Sequence, residues 1–478
     1  MNTETVRPAV TELRLSAFKT HRGVTLPLTR LTLLSGESGS GKSSALQAYE
    51  ILARLGSGES LARAVGEVAG SPAACVPAGA RPDAQGRRGF RIGCTVDGPA
   101  GPVSLDLAVQ AEPELRIVGE RLSGGGETLL TTALTDPDRP TVQAAWHTAG
   151  ATPVTRAPLP DDRLGTSLLP LRVAGKTAGQ RLVLAAAEQV VVALRSAFVC
   201  DPRPEVMRGA GTGGTGGAGQ DGGCGADGAA GAGSGAGVRR SGSEAGLRGG
   251  PGKPGGAGGA AGSWGPRKRK GSGGEAGGWG RDTEGVRAEG RLRSSCDNLP
   301  AVLERTSQEC ARRHAVLVAA VREACAGPVE GLRAVPRQAG GAGESPAGAA
   351  VPAGPGGTAV PRAGAAGVRA VLDRGELGEL PVEQLGDGEL RFLALALVLL
   401  TGPEVLAMDP VGEVPSAHQQ MTVMADGMDR CMDPRQAREL VSLARRMTDR
   451  GHVRLLGTVR DPSVAEGLPG VQVLHLGA

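Results

Sequence analysis

Apolar and polar positions alternate from residue 11 to 16, with Leu13 and Leu15 set between Glu12, Arg14 and Ser16, the period-two signal of a strand with one buried face. Residues 31–34, Leu-Thr-Leu-Leu, are a short apolar run of the kind found in strands covered on both faces. A loop of Gly and Ser follows. From 42 to 55 the period changes, and Ala45, Leu46, Tyr49, Leu52 and Leu55 fall on one helical stripe, ended by Gly56 and Gly58. Strand patterns parted by turn residues return at 90–96, 103–109, 115–122 and 128–133, predicting a β-meander. Residues 178–199 predict a helix that buries Leu182, Leu184, Val190, Val191, Leu194 and Phe198, and helical pattern returns at 298–326. The segment 368–478 reads as strand 368–372, helix 389–400, strand 405–409, helix 434–449 and strands 453–458 and 471–474. Strands alternating with helices imply a parallel sheet. This segment is too short to complete one alone, so its partner strands are expected at 11–34. The expected fold class is therefore α/β with a split sheet, a β-lobe and helices being inserted between its halves.

Composition changes this picture in one respect. Of 478 residues, 79 are Gly and 33 Pro, and aromatics make up only 2%, so part of the length is not expected to be globular. Apolar periodicity is lost from about 207 to 295 and again at about 338–367, and both stretches are expected to be disordered. The expected layout is 1–60, first half of the α/β domain; 61–206, β-meander lobe and helix; 207–296, Gly-rich basic linker; 297–337, helical segment; 338–367, low-complexity linker; 368–478, second half. A net charge of +4 says nothing about partners. Eight cysteines are scattered with no C-x-x-C spacing, which argues against a zinc site or redox pair and for buried, inert thiols. Residues 1–10 show no apolar signal-peptide core, and no apolar run approaches the ~18 residues of a membrane span. A cytoplasmic protein without a membrane partner is expected.

The Gly/Ser loop carries the sharpest chemistry. Gly36-Glu37-Ser38-Gly39-Ser40-Gly41-Lys42-Ser43 fits G-x-x-x-x-G-K-[ST], with Ser44 next in the first helical turn. Glycines let successive N–H groups curl round one anion, and the helix that starts there adds the positive end of its dipole. Lys42 is placed to reach β- and γ-phosphates and Ser43 to ligate Mg²⁺. The loop follows a buried strand and opens an amphipathic helix, which is the context the motif requires. ATP and Mg²⁺ are the expected ligands.

Two later segments could form the rest of such a site. Gly386, Asp387, Gly388 and Glu389 precede the apolar helix 390–400, with Asp387 as its candidate cap; an ordinary capped helix would look the same. Residues 404–409 form an apolar strand ending in Asp409, either a metal-side carboxylate that joins Ser43 or a turn starter before Pro410. Together with the strand and Phe18-Lys19-Thr20 turn at 13–20, these motifs resemble the ABC-type P-loop ATPases of the SMC/RecF/OLD group, over roughly the first 60 and last 110 residues. On that resemblance 385–389 stands for the signature loop, 404–409 for Walker B and 455–460 for the H-loop strand. It implies a head-to-head homodimer, with ATP between residues 36–44 of one protomer and Gly386–Glu389 of its mate, and gives Lys19 and Arg22 a secondary phosphate role. No heptad run supports a long coiled-coil arm.

The departures matter as much. The family's Glu after the Walker B Asp is replaced by Pro410, leaving Glu413 as the nearest substitute, and Arg460 stands where a His is usual. No Q-loop Gln is assignable, Gln85 being one candidate among several. Asp409, Glu413 and Arg460 are thus the candidate catalytic residues of a slow ATP hydrolase whose dimerisation acts as a switch; the alternative is a non-enzymatic, nucleotide-gated scaffold for a protein partner. A DNA role rests on analogy, because Arg267-Lys-Arg-Lys270 between Trp264 and Trp279 reads better as a solubilising charge cluster in a linker than as a phosphate-neutralising, base-stacking one. Leu122-Ser-Gly-Gly-Gly-Glu127 also looks like a signature loop, but it lies between alternating strands and is expected to be a hairpin turn.

Overall fold

The computed structural model describes residues 7–148, 154–209, 291–336, 368–402, 405–406 and 420–477. Most of the two stretches expected to be disordered lies outside them. The described strands form three sheets.

The largest is antiparallel and eight-stranded, in the order β2-β1-β4-β5-β6-β7-β8-β9. Its strands are β1 (Ala9–Phe18), β2 (His21–Pro27), β4 (Arg88–Asp97), β5 (Val103–Glu112), β6 (Arg116–Gly124), β7 (Glu127–Ala133), β8 (Thr141–His147) and β9 (Val154–Pro160). Alternation in β5 buries Val103, Leu105, Leu107 and Val109 on one face. The turn between β6 and β7 is the Gly125-Gly126 pair, both at positive φ (63° and 80°), which is the backbone a two-residue hairpin demands. The second signature-like segment is therefore a hairpin, as expected.

The second sheet is wholly parallel, in the order β10-β14-β15-β3-β16. It comprises β3 (Leu31–Ser35), β10 (Ala197–Cys200), β14 (Met421–Ala425), β15 (Val453–Thr458) and β16 (Gln472–His475). Every residue of β3, β14 and β15 is buried, as a sheet covered on both faces requires. One cover is α1 (Lys42–Gly56), which meets Leu34, Met424 and Leu456 and has α3 (Ala178–Arg195) and the antiparallel sheet behind it. The other is α6 (Asp387–Leu400) with α7 (Pro434–Asp449), which meet Leu31, Leu33, Val423 and Leu455. A third, antiparallel sheet, β11 (Gly331–Pro336), β12 (Val368–Asp373) and β13 (Glu379–Pro381), packs beside α4 (Leu299–Glu309) and α5 (Ala311–Ala324). The helix α2 (Leu61–Ala69), capped by Ser60, follows α1.

Four expectations are corrected. Only β3 from the 11–34 segment enters the parallel sheet; β1 and β2 belong to the antiparallel one, where β1 pairs with β4. The helix expected over 178–199 stops at Arg195, and residues 197–200 turn into β10, because a parallel place beside β14 outweighs local helical preference. The helix expected over 298–326 is two helices, broken at Cys310 (φ −149°, ψ 75°). Most consequentially, the sheet position expected for a strand at 405–409 is taken by β14. Of that segment only Val405 and Leu406 are described, and Leu406 makes an isolated parallel bridge to Leu292.

Candidate nucleotide site

The loop 36–41 leaves β3 and enters α1 through glycines at φ 138° (Gly36), 87° (Gly39) and 94° (Gly41). These conformations are strained for any side chain, and at Gly36 and Gly41 space forbids one as well. A Cβ on Gly36 would overlap the Leu476 carbonyl oxygen, and one on Gly41 would come 2.5 Å from His21 Nε2. The helix has no side-chain N-cap, so the first N–H groups of a 15-residue helix face the loop. Lys42 Nζ donates to the carbonyls of Gly36 (2.6 Å) and Glu37 (2.8 Å), which places an ammonium against the loop's inner edge. One concave surface therefore gathers amide dipoles, a helix terminus and a cation, a set suited to a polyphosphate.

The carboxylate opposite this loop belongs to Asp426, at the end of β14. Its Oδ2 accepts from Ser43 Oγ at 2.8 Å and its Oδ1 from Thr458 Oγ1 at 2.6 Å. Thr458 Oγ1 accepts in turn from Gly427 N at 2.7 Å. Parallel pairing of β3, β15 and β14 brings their carboxyl ends, and with them Ser43, Thr458 and Asp426, to one edge. A hydroxyl beside an exposed carboxylate at the mouth of a phosphate-type loop is a hard-oxygen donor set, which fits Mg²⁺. The carboxylate that the structure places beside Ser43 is that of Asp426. Asp409 and Glu413 lie outside the described residues, as does Pro410.

Buried Arg391, on α6, fixes the loop after β14. Its guanidinium donates to the carbonyls of Asp426 (2.9 Å), Gly427 (3.0 Å) and Pro202 (2.7 Å). Asp429 Oδ2 accepts from the backbone N–H groups of Arg460 (2.7 Å) and Asp461 (2.8 Å), so the turn bearing Arg460 is pinned beside the same loop while Arg460 itself is exposed.

At the start of α6, Gly386 is the N-cap and Asp387 the first helical residue, so Asp387 does not cap the helix. Instead Glu389 Oε2 accepts from Gly386 N at 3.3 Å. Gly388 lies so close to the Cys431 carbonyl that a Cβ would overlap it. Asp387 pairs with Arg208 at 2.6 Å and Glu389 with Arg374 at 3.6 Å. Gly386 and Asp387 are exposed. Among the described residues, no hydrogen bond or ion pair links 386–389 to 36–44 of the same chain.

The remaining candidates sit elsewhere. Lys19 Nζ donates to Gln47 Oε1 (2.6 Å), and Arg22 donates to the carbonyls of Lys19, His21 and Ala78. The residue of that turn that meets the phosphate loop is His21, buried, with Nε2–H donating to Gly41 O at 2.9 Å. Gln85 lies in an exposed turn closed by Asp83 and Arg87. The Arg267–Lys270 cluster lies outside the described residues. Sequence reasoning missed Asp426, Thr458, His21 and Arg391. A signal for Asp426 existed, since residues 421–425 are an apolar run ending in Asp, but 404–409 offers the same signal.

Among the described residues no helix is long and apolar enough to cross a membrane. No family model and no curated protein matches the chain. Solved structures that resemble it are SMC heads. An SMC head bound to the C-terminal winged-helix domain of ScpA is 9% identical, with 98% of this chain and 94% of that one covered, at a TM-score of 0.41. The SMC head domain from Thermotoga maritima is 9% identical, with 98% and 94% covered, at 0.36. A Pyrococcus furiosus SMC head with an extended coiled coil, bound to the C-terminal domain of ScpA, is 8% identical, with 98% and 93% covered, at 0.40.

Proposed function

We propose that this chain binds ATP·Mg²⁺ on residues 36–44 and uses the nucleotide as a dimerisation switch with slow hydrolysis. The observation that carries the reading is the Ser43 Oγ–Asp426 Oδ2 pair at 2.8 Å across the mouth of the Lys42 loop. In this reading Lys42 and the loop amides hold the phosphates, and Ser43 and Asp426 hold Mg²⁺ directly or through its waters. The exposed start of α6 in a second protomer, Gly386–Glu389, closes over the γ-phosphate. Arg460 stands at the same mouth as a fixed positive charge, able to stabilise phosphate charge and unable to act as a base.

Slow turnover follows from what succeeds the carboxylate. The position after Asp426 is Gly427, which carries no side chain to orient or deprotonate water. A positioned acid or base contributes about 10²–10⁴-fold, so its loss leaves binding intact and slows chemistry. The same observation favours a second reading, a nucleotide-gated scaffold that recruits a protein without appreciable turnover. A DNA role has no support beyond the family resemblance.

The test is nucleotide affinity, with and without Mg²⁺, for the wild type, Lys42→Ala and Asp426→Asn. Lys42→Ala is expected to abolish binding under both conditions. Asp426→Asn is expected to remove only the Mg²⁺-dependent part. Wild-type affinity for ATP·Mg²⁺ in both variants, with the fold intact by circular dichroism, would end the proposal.

A further inference from the structure

Cys200 and Cys296 stand 96 positions apart in sequence, yet their sulfurs are 4.0 Å apart and both residues are fully buried. The two chain segments are tied together next to this contact. Asp201 N donates to Ser294 O at 2.9 Å and Arg203 N to Ser295 O at 3.2 Å, so the sulfurs are held face to face by backbone. Cys296 adopts a left-handed conformation, φ 58°, where glycine or asparagine would be less strained. Among the described residues no group of His, Cys, Asp and Glu surrounds the pair as a metal cage. The two thiols are buried, as expected, but the absence of any C-x-x-C spacing hides their pairing in the sequence.

We propose that Cys200 and Cys296 form a reversible disulfide that closes residues 201–295 into a covalent loop. A disulfide needs a sulfur–sulfur separation near 2.05 Å, so the sulfurs must approach by about 2 Å. The oxidant is a small hydroperoxide, which buried sulfurs can meet when larger disulfide reagents cannot. One thiolate attacks the peroxide oxygen, giving a sulfenic acid and water; the second sulfur then attacks the sulfenic sulfur, and a second water leaves. With hydrogen peroxide the balance is two thiols and one H₂O₂ giving one disulfide and two waters. The hydrogen bond with the Cys296 thiol, and then burial, hold the Cys200 thiol well above its ordinary pKa, which makes the closed protein slow to react and confines oxidation to sustained exposure.

The position of the bond gives it a consequence. Cys200 lies opposite Ala425 in the β10–β14 ladder, one residue before Asp426. Arg391 holds Pro202, just after Cys200, together with the Asp426–Gly427 turn. The bond would therefore brace the strand that carries the carboxylate, although its formation does not depend on what that carboxylate binds.

The experiment uses the full reduced chain treated with hydrogen peroxide, denatured in an alkylating agent and digested for mass spectrometry. A linked peptide containing Cys200 and Cys296, lost on reduction, is the expected result. In parallel, the oxidised protein is nicked by limited proteolysis between 210 and 290. Its two fragments should migrate together in non-reducing SDS, separate when reduced, and separate without reduction in Cys296→Ser. Full alkylation of Cys200 and Cys296 after oxidation, or linkage of either to another cysteine instead, would overturn the proposal. The wild-type peptide map decides this even if the Ser variant fails to fold.

Discussion

Gly427 is where residue-scale chemistry decides between an enzyme and a switch. Its backbone is already placed, with N–H on Thr458 Oγ1 and carbonyl on Arg391, so a side chain added there would project from a fixed turn next to Asp426. Its φ of 60° makes a carboxylate side chain strained but attainable. Gly427→Glu is expected to raise single-turnover hydrolysis by at least tenfold, within the ~10²–10⁴-fold range of positioned bases. An unchanged rate with unchanged ATP affinity would show that water activation is not what limits turnover. A second residue-scale case is structural. Glu120, on β6, is buried, and its carboxylate accepts from Gly165 N (2.6 Å), Thr166 N (2.7 Å) and the Thr166 hydroxyl. Burial pushes its pKa up despite those donors. A raised folded-state pKa means the native protein keeps this proton longer than the unfolded chain. The associated stability is full below the unfolded pKa and is lost as pH rises through the folded one. Denaturant midpoints should therefore fall as pH climbs upward from the ordinary carboxylate range, and Glu120→Gln should flatten that slope.

At the scale of elements, α6 has an apolar body and a charged tip. From Leu390 to Leu400 every residue is buried, Arg391 included, which is why its sequence reads as a continuous apolar run rather than a stripe. Its N-terminal end offers amide groups to an anion but also carries Asp387 and Glu389. A carboxylate at that end repels phosphate, and pairing with Arg208 and Arg374 offsets this only in part. Asp387→Ser is thus expected to strengthen ATP-dependent self-association, read by sedimentation velocity as a several-fold lower dimer dissociation constant. No change would remove this helix end from the nucleotide interface. The same scale explains what could be read from sequence. The loop 36–43, α1, α6, α7 and the Gly125-Gly126 hairpin were legible because each depends on local period and turn chemistry. In the sequence, 421–426 and 404–409 are both mainly apolar runs that end in Asp, and it is the pairing of β14 with β15 that brings Asp426 to Ser43. That pairing is a long-range choice which no local pattern encodes. Strand β10 was hidden for a related reason, since its four residues continue the apolar run of α3 and become a strand only by docking against β14.

At the scale of the whole molecule, a buried cation helps to join the two large sheets. Arg454, on β15, donates to the carbonyls of Val10 (3.2 Å), Leu28 (2.9 Å) and Thr29 (2.9 Å), reaching from the parallel sheet to β1 and the β2–β3 connection. Burial pulls its pKa down, and the three carbonyls replace much of the water it has lost. Arg454→Leu would keep the bulk and strip three acceptors of a donor, at about 1–3 kcal/mol for each one left unsatisfied. With partial access of water to these groups, a loss of about 2–4 kcal/mol is expected by urea denaturation. A loss below about 0.5 kcal/mol, the size of an ordinary surface substitution, would show that the sheets hold together without it.

The placement of β3 also has a consequence for synthesis. Its neighbours are β15 and β16, and the Thr32–Gln472 and Ser35–His475 contacts each join residues 440 positions apart. On a ribosome adding ~5–20 residues per second, β3 would therefore wait roughly 20–90 seconds for its partners. Throughout that interval the nascent chain carries a strand destined to be fully buried, with both edges unpaired and no finished phosphate loop. The nucleotide site is thus among the last parts of the fold to be completed, so nucleotide can stabilise the chain only after its C-terminal strands have docked.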